Sequence, residues 1–128
     1  MDNKTRLQLI NDFIPINFSY KHTHSKNGRN NYTVLLKTDK GKASFKYFQG
    51  FGIKDNPNLL SVLYCLISDV NVANEYENDL VGFSSEFGYN DTIEAKTVLK
   101  ACIKQRDKLN RLGIVDYLEE LTEVFQDY

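Results

Sequence analysis

The residues of this chain best equipped for chemistry are cations. Lys96, Lys100, Lys104 and Lys108 recur every four residues, with Arg106 and Arg111 beside them. On a helix that spacing stacks the ammonium groups along one ridge. Such a ridge can follow a nucleic-acid backbone or dock on an acidic protein surface; the plainer alternative is a solvated helix face. Like charges at this spacing mildly destabilise a helix, and Glu94 and Asp107 offset them only in part, which hints at an anionic partner. A second cluster, Arg29, Lys37, Lys40, Lys42 and Lys46, is interleaved with Tyr32, Phe45, Tyr47 and Phe48. Cations beside exposed rings suit single-stranded nucleic acid. Strand alternation, however, turns about half of those rings inward, and no Gly-aromatic RNA-binding signature is present.

Other chemistry is sparse. His22 and His24 fall on one face of a strand, but metal binding needs three or four ligands and the chain holds no third histidine. The acids Asp69, Glu75, Glu77 and Asp79 lack the spacing of a calcium loop and read as a solvated connector. Cys65 and Cys102 both lie in apolar helical patterns, as buried free thiols of a cytoplasmic protein do. There is no phosphate-cradling glycine loop, no nucleophile elbow and no Cys-His pair with a base. The expectation is a non-enzymatic protein with no metal and no cofactor.

The elements that must position these groups can be read in order. Residues 4–14 form a short helix with Leu7, Ile10 and Ile14 inward, stopped by Pro15. Ile16, Phe18 and Tyr20 alternate with polar residues as in a strand with one buried face. Asn27-Gly28 is a turn. Tyr32–Lys37 and Ala43–Phe48 are β-rich runs around Thr38-Asp39-Lys40-Gly41, a hairpin with Gly41 in a left-handed conformation. Gly50-Phe51-Gly52 breaks the second run. Asn56-Pro57 is expected to start a mostly buried helix through Val70, followed by a polar connector, "NVANEYEND". A short helix carries Leu80, Phe83 and Phe87 and ends at Gly88. Asp91 and Thr92 cap the next helix, so that Gly88-Tyr89-Asn90 is a corner between two helices with Tyr89 as its anchor. In that long helix Ala95, Val98, Cys102, Gln105, Leu109 and Leu112 form the inward stripe, and Gly113 ends it. The last helix turns Val115, Leu118, Leu121 and Val124 or Phe125 inward.

With 128 residues, 41% apolar and 26% charged, the chain suits one globular domain, residues 1–128. No signal peptide and no membrane-spanning stretch is apparent. The net charge of −1 conceals a split: residues 1–56 carry +6, residues 57–91 carry −6 with no Lys or Arg, and residues 92–128 carry −1. A bipolar surface favours oriented electrostatic encounter.

The order "DFIPINFSY", "YTVLLKTDKGKASFKYFQGFG", "LLSVLYCLISDV" and "FSSEFGYNDTIEAKTVLKACIKQRDKLNRLGI" resembles a family of small, mostly uncharacterised proteins of phages, prophages and other bacterial mobile elements. The resemblance runs from Asp12 onward. Asn90 stands where the family pattern has Asp, with Asp91 following. It implies a compact non-enzymatic protein acting inside the bacterial cell, without implying a target or site residues. By analogy of size and origin, such proteins include inhibitors of defence nucleases of the anti-CRISPR kind.

The combined expectation is an α+β fold: a small antiparallel sheet, a hairpin joined by a third strand, then three to four helices on one face. The expected function is a non-catalytic accessory protein that binds a host protein or protein–nucleic-acid complex. The alternative is a nucleic-acid-binding module using Arg29, Lys37, Lys40, Lys42 and Lys46 with the ridge Lys96, Lys100, Lys104, Lys108 and Arg111. Neither a membrane nor a small-molecule substrate is expected as partner.

Overall fold

The structure, a computed structural model, describes residues 1–24, 30–48 and 57–128, with His24 and Phe48 through their backbone alone. The expected turn at Asn27-Gly28, the cation Arg29, the break at Gly50-Phe51-Gly52 and the cap Asn56 lie outside the described residues. The element order is α1 (Asn3–Phe13), β1 (Asn17–His24), β2 (Asn30–Thr38), β3 (Gly41–Phe48), α2 (Leu59–Tyr76), α3 (Leu80–Glu86), α4 (Thr92–Arg111) and α5 (Leu118–Val124), the last preceded by a single 3-10 turn at Val115–Tyr117. The strands form one antiparallel meander, β1-β2-β3. This is the α+β architecture the sequence implies.

Most helix starts have a local cause. Asp2 accepts the Thr5 N–H at 2.8 Å and starts α1. The start of α2 corrects the sequence reading: Asn58 is the N-cap. Its side chain accepts from the Ser61 N–H at 3.0 Å while Ser61 Oγ accepts the Asn58 N–H at 3.2 Å, a reciprocal capping box. Pro57 lies just before the cap, where its missing donor costs nothing. The expected connector after Val70 is also helical, and α2 runs through Tyr76. Ala73 is wholly buried there, and Val72 and Tyr76 pack against the cluster of Phe83, Ala95 and Leu99, so tertiary contacts carry a polar stretch in helical form.

Gly88 and Gly113 do what was expected of them. They adopt φ of +69° and +78° just past α3 and α4. The Tyr89 N–H reaches back to Ser84 O at 2.9 Å, and Ile114 N–H to Leu109 O at 3.1 Å, which satisfies carbonyls the helix ends would otherwise leave open. Tyr89 stacks on Phe83 with ring centroids 5.4 Å apart, so the Gly-Tyr-Asn corner is a packed joint between α3 and α4. Asp91 then caps α4 by accepting the Ile93 N–H at 2.8 Å.

The main core lies between the inner face of the sheet (Val34, Leu36, Phe45) and α2, with Ile10 and Ile14 closing one side and Leu109, Leu112, Leu121 and Phe125 another. Burying a side chain such as Phe45 contributes roughly 2–3 kcal/mol. In α1 the inward side differs from expectation: Leu7 is 42% exposed, and Arg6 is 4% exposed. The Arg6 guanidinium donates to Val124 O at 3.0 Å and, more weakly, to Gln126 O and Asp127 O, and lies 5.3 Å from the Tyr128 ring. It thereby caps the C-terminal carbonyls of α5, where a cation is also favoured by the helix dipole. The hairpin turn is pinned in a similar way. Buried Thr38 donates its hydroxyl to Leu112 O at 2.7 Å, at the end of α4.

Candidate nucleic-acid interface

Strand register decides which side each hairpin cation occupies. Along β2, Tyr32, Val34, Leu36 and Thr38 are buried and the residues between them are turned outward. Their partners share their faces, so the outer face carries Asn17, Ser19, Lys21 and Thr23 from β1, Thr33, Leu35 and Lys37 from β2, and Lys42, Ser44 and Lys46 from β3. Among the described residues this face has four lysines and no carboxylate. Lys37 and Lys42 sit directly opposite each other; Lys21 and Lys46 flank Thr33 across the sheet, about 9–10 Å apart from strand spacing alone. Lys42 and Lys46 are four residues apart, about 13–14 Å along the strand.

Lys21 was missed by the sequence reading, because its place on this face depends on β1 pairing with β2. Tyr32, Phe45 and Tyr47 lie on the inner face, opposite to the lysines, so the expected stacking rings beside the cations are absent there among the described residues. Leu35, 36% exposed, is the large apolar side chain at the centre of the outer face. Lys40 is drawn away to the turn: its stem lies against Gly113 and its ammonium is 3.7 Å from Asp116.

The ridge on α4 divides. Lys96, Lys100, Lys104 and Arg111 are exposed. Lys108 is half-buried, its Nζ donating to Ser44 O on β3 at 2.7 Å and lying 5.2 Å from the Phe45 ring. Its pKa is lowered, first by desolvation and then by the neighbouring charges of Lys104, Arg111 and Lys46. The bond to Ser44 brings the C-terminal end of the ridge to β3, the strand that carries Lys42 and Lys46. Since steps of four residues drift by roughly 40° around a helix, Lys100 and Lys96 turn progressively away from that junction. Arg106 is not a free flanking cation. It makes a two-pronged contact with Glu77, both bonds 2.8 Å, and a third to Asp107 at 3.3 Å, tying α4 to the end of α2.

Of the acid run, Glu75, Glu77 and Asp79 are exposed as expected, but Glu75 stands on α2 and the other two are engaged. Glu77 holds Arg106, which keeps its carboxyl below the usual range; Asp79 accepts the Gly82 N–H at 2.9 Å and caps α3. Asp69 lies between α2 and α4, where it accepts the Cys102 thiol at 3.8 Å and where burial pushes its carboxyl up to about 6. Cys65 and Cys102 are free thiols, the latter raised to about 11 by burial and by Asp69. The Tyr47 hydroxyl donates to Cys65 Sγ at 2.9 Å. His22 stacks on Tyr32 at 4.9 Å, with Nε2 2.8 Å from Asn30 Oδ1. Among the described residues no group of three metal-ligating side chains converges, and no helix is long and apolar enough to cross a membrane.

No family model matches the chain, and neither a curated protein nor a solved structure matches it.

Proposed function

We propose that this protein is a non-catalytic module that binds nucleic acid through one continuous basic surface, formed by the outer face of the sheet and the β3-facing end of α4. The observation that carries the reading is the junction at Lys108, whose Nζ donates to Ser44 O of β3 at 2.7 Å and so joins the end of the α4 ridge to the strand that carries Lys42 and Lys46. The two clusters therefore act as one surface. Lys37 and Lys42 face each other in the ladder, a placement that costs stability and is offset when an anion lies across them. A carboxylate-free face whose lysine positions lie as an adjacent pair, Lys37 and Lys42, and at backbone spacings of about 10–14 Å beyond it suits an extended phosphodiester backbone better than a compact anion. The family resemblance adds a setting, a small mobile-element protein acting on the nucleic-acid machinery of a bacterial host, with the defence nucleases as one target class.

The test is binding of a labelled oligonucleotide as a function of salt. The expected affinity falls linearly in log–log form, and replacing Lys37, Lys42 and Lys46 by Gln lowers the slope by about 0.7–0.9 for each phosphate no longer neutralised. No binding at low salt overturns the proposal. A partner protein captured from lysate and retained after nuclease treatment would replace the nucleic acid as occupant of this surface.

A further inference from the structure

Beside the junction, a cavity of about 250 Å³ opens between β3, α2 and α4, lined by Phe45, Lys46, Tyr47, Cys65, Asp69 and Gln105 among others. Its buried polar atoms that lack a strong partner are acceptors. Asp69 receives only the weak thiol donor of Cys102, at 3.8 Å, and no cation pairs with it among the described residues. Gln105 Oε1 is buried with no hydrogen-bond partner among the described residues. The Tyr47 hydroxyl is already committed to Cys65 Sγ and, at 3.4 Å, Ser61 O. A group that completes this site must bring at least two donors, one for the carboxylate and one for the amide oxygen. It should also be flat, since the Phe45 and Tyr47 rings contribute to the wall.

A lysine or arginine side chain of a partner supplies donors, but it would have to enter past Lys46 with Lys104 and Lys108 close by. A nucleotide carries its own phosphate to that cation. Among the bases, guanine alone presents two adjacent donors on its pairing edge, N1–H and the exocyclic amine. Adenine and cytosine place an acceptor nitrogen beside their amine, and uracil flanks one N–H with two carbonyls. The volume lies just below the roughly 300–1,000 Å³ of pockets for drug-sized ligands, which suits one base.

Resting on the nucleic-acid reading above, we propose that this cavity is a guanine pocket: Asp69 accepts from N1–H and the exocyclic amine, Gln105 Oε1 takes the remaining amine hydrogen, the ring lies along Tyr47 and Phe45, and Lys46 holds the adjoining phosphate. Burial of Asp69, which raises its carboxyl, leaves a carboxylate with much to gain from paired N–H donors.

The experiment compares short oligouridylates carrying one central guanosine, adenosine or inosine, by fluorescence anisotropy at fixed low salt. Guanosine should bind at least about tenfold tighter than adenosine, the discrimination of a two-bond contact, and inosine, which lacks the exocyclic amine, should lose several-fold. In Asp69→Asn, with folding confirmed by circular dichroism, the guanosine-to-adenosine ratio should fall to within about twofold. Amide chemical shifts on adding millimolar GMP or AMP give a second readout: GMP should move Cys65, Asp69 and Gln105. Oligonucleotide binding with no guanosine preference and no GMP shifts overturns the pocket while the surface reading stands. GMP shifts without oligonucleotide binding overturn the surface reading and keep the pocket, and the absence of both overturns both. Free arginine moving the same amides where GMP does not would assign the cavity to a protein guanidinium, and the proposal falls.

Discussion

Asp69→Asn should make this protein more stable at neutral pH. The wild-type carboxyl titrates near 6 in the folded state against 3.8 as its ordinary value. At 1.36 kcal/mol per unit, that displacement corresponds to at most about 3 kcal/mol of destabilisation when the group is ionised. Asp69 is only partly buried, so solvent screening reduces this to about 1–2 kcal/mol. The sign follows from proton binding. Between about pH 4 and 6 the folded state holds a proton that the unfolded chain has lost, so the Asp69 contribution to stability falls as pH rises through that window. Asparagine keeps the shape and still accepts the Cys102 thiol, while carrying no charge at any pH. The variant should therefore match wild type below about pH 4 and exceed it above about pH 6.5 by about 1–2 kcal/mol, which for a chain of this size is roughly 3–8 °C in melting temperature. Thermal melts of both proteins across that range decide the matter. A variant less stable than wild type at pH 7.5, or a difference that does not change with pH, would refute the picture of an unpaired, desolvated carboxylate.

Arg6→Met should cost about 2–3 kcal/mol in urea denaturation, because it strips the buried donor from Val124 O at the end of α5 and weaker ones from Gln126 O and Asp127 O. Hydrogen exchange at residues 121–128 should accelerate more than in the sheet. Gly113→Ala should lose about 1–2 kcal/mol, since φ of +78° penalises any Cβ and the new methyl would meet the Lys40 stem. Lys42→Glu should raise stability by about 0.5 kcal/mol, turning a like-charge cross-strand pair into an attractive one, while weakening oligonucleotide binding. A variant that gained stability and kept full affinity would remove the sheet face from the interface.

Structure was legible wherever its causes were local. Glycines that end helices and the hairpin around Asp39-Lys40 follow from residues a few positions apart, and the structure places them as read. Of the stripe expected on α4, Ala95, Cys102, Leu109 and Leu112 are buried, Val98 and Gln105 are only partly so, and Leu99, outside it, is buried as well. What escaped depended on distant partners. Arg6 goes inward because carbonyls 118 to 121 residues away need donors, which no periodicity within α1 encodes. The polar stretch after Val70 stays helical because Ala73 is buried, Val72 and Tyr76 find packing partners, and Glu77, just past the end of α2, holds Arg106 of α4. Both basic clusters were visible as lysines at regular spacing, but their union rests on Lys108 meeting Ser44, 64 residues apart. One signal was overlooked. Asp69 is the one charged residue in the mostly apolar "VLYCLISDV", a place where a carboxylate needs a reason.

That reason is tied to a pattern. Most of this fold obeys the rules of polar satisfaction: three of its helices start with carboxylate caps and a fourth with an asparagine box, Arg6 and Arg106 have acceptors, and Thr38 finds a carbonyl. The departures gather around β3. Lys42 opposes Lys37, Lys108 is desolvated against Ser44 and Phe45, Asp69 and Gln105 open into the cavity walled by Phe45 and Tyr47, and Asn31, whose Oδ1 is buried without a partner among the described residues, pairs with Phe48 at the far end of the same strand. Random imperfections of packing would scatter over the molecule. Sequences tolerate concentrated local conflict where binding repays it, and the conflicts here are complementary in kind: unneutralised cations on the open face and unfilled acceptors in the adjacent hollow. A phosphate backbone with a donor-bearing base answers both at once.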